Sequence, residues 1–189
     1  MIRNLEYLIS SLPYLSFQDT DSEQSRVTSL FMKYAGPVGQ ELGMLDILHK
    51  ETAKFLPPNA QQLFCELDIN TIHHPVYGEN KTKIVAEFSK FMTAQKAAIK
   101  SLRTARKANK KELSPLEYQV LPIKQGTPLE EEIQIMELQW KKLEELSLGH
   151  YFDWVALVVY KLKLMILIRW WSFDQQKGFD VFNQTVRAY

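Results

Sequence analysis

The feature that most constrains this chain is an uninterrupted stretch, residues 80–111, that contains neither glycine nor proline. As an α-helix these 32 residues would extend about 48 Å, at about 1.5 Å per residue. Seven positions along it recur with alternating spacings of four and three, which places them on one narrow stripe. They are Ile84, Phe88, Phe91, Gln95, Ala98, Leu102 and Ala105. The pattern predicts a long helix that packs along this seam.

A second helix with the same spacing is predicted after a proline-containing connector. Thr127 is placed to cap it, with Pro128 at the first helical position and Glu130 three residues after the cap, which is the pattern of a capping box. Its seam consists of Leu129, Ile133, Met136, Trp140 and Leu143. Two long helices with matching seams predict an antiparallel hairpin, and we expect it to protrude over residues 80–147.

The rest of the chain also favours helices. They are predicted over residues 22–35, 38–56, 59–67 (capped by Asn59) and 151–172. Pro13 leaves a short strand or a single turn open for residues 4–17, and residues 68–80 are predicted to form a loop. Few segments alternate with period two. The predicted fold class is therefore all-α, a helical bundle with the long antiparallel hairpin, and 189 residues fit a single domain over 1–189.

The most apolar stretch runs from Trp154 to Trp171 and contains Lys161, Lys163 and Arg169. Two lysines near its middle would cost several kcal/mol in lipid, so we predict a buried helix and not a membrane span. The first residues do not have the pattern of a secretory signal. A lone cysteine, Cys65, fits a reducing compartment, and we expect a buried structural thiol in a cytoplasmic protein.

Charge is distributed unevenly, although the formal net charge is only +1. Residues 1–80 have a balance of −5, and residues 127–147 have a balance of −4. Residues 96–111 carry seven bases and no acid. A near-neutral total therefore conceals one strongly basic helical segment.

Five of these bases form a cationic ridge on the long helix: Lys96, Lys100, Arg103, Lys107 and Lys110. Each lies five positions beyond a seam residue, which is about 140° around the helix. Three interpretations are open. The ridge is a solvated face, paired in part with Glu137, Glu144 and Glu145; or it docks an acidic partner; or it binds nucleic acid. The last is disfavoured because no aromatic residue lies among the bases to stack on single strands.

The sequence offers little catalytic chemistry. It has no phosphate-binding loop, no zincin motif and no dinucleotide fingerprint. His73 and His74 are adjacent but lack companion residues at zinc-ligand spacing, so we interpret them as loop residues. We therefore predict a protein that is not an enzyme and has no catalytic, cofactor-binding or metal-binding residues.

The end of the chain carries a distinctive pattern of apolar and basic residues. It begins with Tyr151, Phe152, Asp153, Trp154, Val155, Ala156 and Leu157, continues through Tyr160 to Leu164 and Ile168 to Trp170, and closes with Lys177 and Gly178. Residues 7–13 add a second segment, Tyr-Leu-Ile-Ser-Ser-Leu-Pro. Together they resemble a bacterial family of uncharacterised proteins encoded beside V-type ATP synthase genes. That family is similar to the C-type central-stalk protein of V/A-type ATPases, which is called the d-type protein in the eukaryotic enzyme.

The resemblance implies an all-helical socket that sits on the rotating membrane ring, receives the central shaft, transmits torque and binds no nucleotide. The C-type protein is built of three helical modules, and this chain is much shorter. We therefore expect a non-catalytic central-stalk component that couples the rotor ring to the central shaft. Its partners would be protein subunits and not nucleic acid, and its contact with the membrane would be indirect, through those partners.

We expect the cationic ridge and Trp171 to contact the partners. Trp170 and Trp171 are adjacent, so their rings cannot face the same side of one helix. Either one is core and the other an exposed anchor, or neighbouring helices bury both. The alternative function is a generic helical adaptor or regulator that binds a soluble partner through the 80–147 hairpin, at Leu102, Trp140 and their neighbours.

Overall fold

The structure, a computed structural model, describes residues 5–35, 42–107 and 122–173, and this part of the chain contains helices and no strand. The helices are α1 (Leu5–Ser11), α2 (Asp21–Ala35), α3 (Met44–Thr52), α4 (Pro58–Glu66), α5 (Pro75–Gly78), α6 (Lys83–Lys107), α7 (Pro128–Leu146) and α8 (Trp154–Trp171). The predicted all-α class is confirmed.

α8 is the central helix of the core. It packs against α1, α3 and α7, and apolar side chains are buried on most of its circumference, including Leu157, Val158 and Ile166. Asp153 caps its first turn, accepting a hydrogen bond from the Ala156 backbone N–H at 3.0 Å. The described helices include none with the combination of length and hydropathy that a bilayer crossing needs.

Four local predictions need correction. The helix predicted over 38–56 ends at Thr52, as α3. Residues 5–11 form a helix of about two turns, because Leu5 and Leu8 are buried and α1 packs on α8. Pro58, and not Asn59, begins α4: proline has the fixed φ of a first helical position, and Pro57 precedes it as the cap. The predicted 68–80 loop contains the short helix α5.

The capping box of α7 is confirmed. The Thr127 hydroxyl accepts from the Glu130 backbone N–H at 3.2 Å, and the Glu130 carboxylate accepts from the Thr127 backbone N–H at 2.7 Å. Both side chains act within one turn, so this feature depends on local sequence alone.

α6 and α7 contact one another in antiparallel order. Gln95, in the middle of α6, accepts a hydrogen bond from Gln139, late in α7. Arg106, near the end of α6, forms an ion pair with Glu131, near the start of α7. The connector of the predicted hairpin falls largely on residues 108–121, which lie outside the described residues. A protruding hairpin over 80–147 therefore stays a prediction.

Candidate functional site

The predicted cationic ridge lies on one exposed face of α6. Lys96, Lys100, Arg103 and Lys107 are all solvent-exposed, while seam residues such as Phe88 and Ala98 are buried. Lys110, the fifth predicted member, lies outside the described residues. The helical period alone was enough to place these four side chains together.

These cations form one wall of a groove of about 660 Å³. α7 supplies the opposite wall with Glu132, Ile135 and Gln139, and Ile69 and Asn70 contribute from the segment after α4. Arg169 enters from α8, so the described lining holds five bases and one acid. We name this feature the cationic groove. It is open to solvent, and its excess of positive charge favours anionic groups.

The floor of the cationic groove consists of apolar side chains on either side of two buried glutamines, Gln95 and Gln139. Met92 and Ile135 are buried, and the half-buried Ile99 packs beside Ile135. Gln95 is 1% exposed and Gln139 is 6% exposed. The Gln139 side-chain amide donates to the Gln95 side-chain oxygen at 2.7 Å. This hydrogen bond holds α6 and α7 in register beneath the cations.

The acids at this surface are already paired. Glu132 contacts Arg169 at 2.6 Å, and Glu131 contacts Arg106 at 2.7 Å. The hydrogen bond from Arg106 is the main reason that the pKa of Glu131 is lowered. Neither acid forms an ion pair with Lys100, Arg103 or Lys107 among the described residues.

One open interpretation included pairing of the ridge with Glu137, Glu144 and Glu145, and none of the four described ridge residues makes such a pair. Glu137 contacts Lys141 at 2.6 Å, Glu145 contacts Lys142 at 2.8 Å, and Glu144 contacts Lys163 at 3.3 Å. Two of these pairs lie within one turn of α7, where residues three or four apart are neighbours. The third joins α7 to α8. These glutamates therefore do not neutralise the cationic groove.

Lys96 has a neighbour that the sequence did not predict. Its Nζ lies 3.0 Å from both ring nitrogens of His73. Burial lowers the pKa of His73 below its usual value, and the charge of Lys96 and the nearby His74 lower it further. Neutral imidazole is therefore favoured next to this ammonium group.

Trp171 lies apart from the cationic groove. It is half-buried, its indole N–H donates to the Gln18 backbone carbonyl at 3.0 Å, and it packs against the main core. The neighbouring Trp170 ring packs against Phe17 in a tilted arrangement, with centroids 4.4 Å apart. Both tryptophans thus pack against the N-terminal segment, and the structure does not bring Trp171 together with the basic residues.

Two further interpretations of single residues need correction. Cys65 is exposed and not buried, because the adjacent Phe64 takes the core-facing position on α4. Trp140, expected as an adaptor contact, is only 4% exposed. Its ring packs near Phe17 at 5.5 Å and beneath the Lys163 ammonium at 4.5 Å. It is therefore a core residue.

Arg169 is the member of the site that sequence reasoning missed. It lies at the end of an apolar helix, and the available signal was a base in the last turn of a mostly hydrophobic run. Among residues 5–35, 42–107 and 122–173, no three His, Cys, Asp or Glu side chains are grouped so as to hold a metal ion. The charged groups of the described lining are mostly ammonium and guanidinium groups, which attract anions.

The fold and the groove define an all-α protein with a solvent-open cationic groove between two antiparallel helices. The chain belongs to the family described as protein of unknown function DUF2764, which matches residues 66–189. The match includes every described residue that lines the cationic groove. No curated protein and no solved structure matches the chain.

Proposed function

We propose that this chain is a non-catalytic docking protein that binds an acidic protein surface through its cationic groove. The observation that carries the proposal is the exposed row of Lys96, Lys100, Arg103 and Lys107, joined across the groove by Arg169. Surfaces of one charge orient a partner and accelerate its association. The described lining of the groove contains no aromatic residue, which disfavours single-stranded nucleic acid as the ligand.

We further propose that the assembly is a rotary ATPase of the V/A type, in which the chain is a central-stalk component between rotor ring and shaft. This rests on the resemblance of residues 1–17 and roughly 150–186 to the family encoded with such enzymes and similar to their C-type central-stalk protein. Long packed helices suit a component that transmits torque: α6 has 25 residues and α7 has 19, or about 37 Å and 28 Å of helix. The protein would lie in the cytoplasm, at the membrane only through its partners.

The identity of the assembly is tested by co-purification. The full chain, tagged and expressed in its source organism, is isolated from detergent-solubilised membranes, and the proteins recovered are quantified by mass spectrometry. The proposal predicts rotary ATPase subunits in near-stoichiometric amounts, and none with the tag alone. Recovery of one soluble, unrelated protein in their place would contradict the stalk role and support the adaptor alternative.

A further inference from the structure

The cationic groove combines three features that together select a ligand: a line of cations along α6, an apolar floor, and a shape that is elongated and open to solvent. We infer that its occupant is an acidic amphipathic α-helix of about three turns, contributed by a protein partner. This inference rests on the proposed docking function and specifies the partner's local structure.

The spacing of the cations argues for an extended ligand. Lys96, Lys100, Arg103 and Lys107 are spread over eleven residue steps of α6, which is about 16 Å at about 1.5 Å per residue. That is the length of about three helical turns. A compact anion such as a polyphosphate would be recognised by cations that converge on one point, and these four follow a line.

The floor argues for a ligand with an apolar face. Met92, Ile99 and Ile135 line the groove together with the cations. A helix lying along α6 would place leucine-like side chains on this floor and carboxylates beside Lys100 and Arg103. This is the helix-in-groove mode of recognition, in which apolar anchors recur every three or four residues. A uniformly charged polyanion would leave the apolar floor unused.

Charge complementarity indicates that the ligand is acidic. Arg169 is held by Glu132 at 2.6 Å across the groove, and this is the one acid in the described lining. The remaining bases present a net positive wall to the ligand. Carboxylates spaced along one side of the incoming helix would pair with them at solvent-exposed positions, which gives orientation and salt sensitivity.

The experiment measures binding of a synthetic probe to the full chain by fluorescence anisotropy. The probe is a labelled peptide of about 14 residues, about four helical turns, with leucines every three or four residues and glutamates on the flanking positions. One control peptide has the same composition with the leucines scattered, and a second contains glutamate only. Tripolyphosphate and a short single-stranded DNA serve as competitors.

Site and mechanism are checked with variants. Lys100→Glu with Arg103→Glu reverses the charge of two residues in the α6 wall of the groove. As a control, Lys33→Glu with Lys50→Glu makes the same charge change at exposed lysines on α2 and α3. Ile99→Ser removes an apolar contact from the floor. All variants are first compared with the wild type by circular dichroism and thermal unfolding, and only variants that keep the fold are used.

The inference predicts that the amphipathic peptide binds at least about tenfold more tightly than its scattered control, a difference of about 1.4 kcal/mol, and gains helicity on binding. Charge reversal at Lys100 and Arg103 should abolish this binding, and charge reversal at Lys33 and Lys50 should not. Ile99→Ser should weaken the binding of the amphipathic peptide and leave that of the two control peptides unchanged. Equal affinity for all three peptides would overturn the helix inference and leave acidic docking intact. Preference for tripolyphosphate or DNA, or failure of every acidic probe to bind, would overturn the inference and count against the docking function as well.

Discussion

At the scale of single residues, Glu23 and Arg26 join α2 to the segment before it. The Glu23 carboxylate accepts from Arg26 at 2.6 Å and from the Ser16 hydroxyl at 2.7 Å. Arg26 also donates to the Tyr14 backbone carbonyl at 2.6 Å. The hydrogen bond from Arg26, helped by that from Ser16, lowers the pKa of Glu23 to about 2.

Replacing this carboxylate should reduce stability in a pH-dependent way. Because the folded-state pKa is lowered, the contribution of Glu23 is present above its ordinary pKa of 4.5 and is lost as pH falls toward about 2. Glu23→Gln should lower the free energy of unfolding by about 1–3 kcal/mol at neutral pH. Urea unfolding at neutral pH and near pH 3 measures this. An unchanged acid sensitivity in the variant would contradict it.

Lys161 is a buried base whose pKa is also lowered, so its effect on stability appears in an alkaline pH window. It is 1% exposed, and its Nζ donates to the backbone carbonyls of Phe64 and Cys65 at the end of α4. Burial lowers the pKa of Lys161 to about 8, against the attraction of Cys65 and Asp68. The ammonium group thus satisfies helix-end carbonyls at the cost of its own hydration.

The pH dependence of stability should report this burial. Between pH 8 and about 10 the unfolded lysine still binds a proton that the folded one releases, so stability contributed by this group rises with pH. Lys161→Met should reduce that rise, with Lys163, whose pKa burial also lowers, contributing the remainder, and Lys50→Met, at an exposed lysine on α3, should keep it. Chemical unfolding from pH 7.5 to 10 (about the ordinary tyrosine pKa) measures the slope. A slope shared by both variants would assign the effect to another group.

At the scale of helices, the cap of α7 is the clearest local determinant. The Thr127 hydroxyl and Glu130 carboxylate satisfy backbone N–H groups that α7 leaves unpaired. Thr127→Ala should lower the free energy of unfolding by about 1 kcal/mol. Thr104→Ala, the same substitution on the exposed face of α6, should not destabilise. Thermal unfolding of both variants measures the difference, and equal melting temperatures would contradict it.

Helices were predictable from sequence where local chemistry determines them. The capping box of α7 and the exposed face of α6 follow from spacings of three and four residues. The helix α1 did not follow, because its stability comes from burying Leu5 and Leu8 against α8, and not from its own sequence.

The residues of the candidate site likewise fall into those that the sequence could predict and those that it could not. The cations of α6 were predictable, since one helical period places them together. Arg169 was not, because α8 is brought to the groove by core packing that helical periodicity does not encode. The partners of Glu137, Glu144 and Glu145 were left open by the sequence, and the structure pairs them with lysines of α7 and α8 and not with the four described ridge residues.

At the scale of the whole molecule, the proposed docking depends on where positive charge lies and not on how much there is. The formal net charge is +1, yet the described lining of the groove holds five bases and one acid. Two variants can therefore be made equal in total charge and different in its location. One reverses Lys100, Arg103 and Lys107, and the other reverses Lys33, Lys50 and Lys90, all of them exposed.

Docking of rotary ATPase subunits on the cationic groove is tested by their co-purification with these two triple-glutamate variants and with the wild type, at matched expression and matched helicity. Each variant carries three charge reversals, so the two have the same net charge. We expect recovery to fall at least about tenfold, or about 1.4 kcal/mol of binding free energy, for Lys100→Glu/Arg103→Glu/Lys107→Glu and to stay near wild type for Lys33→Glu/Lys50→Glu/Lys90→Glu. Equal recovery with both variants would show that the cationic groove is not the docking surface.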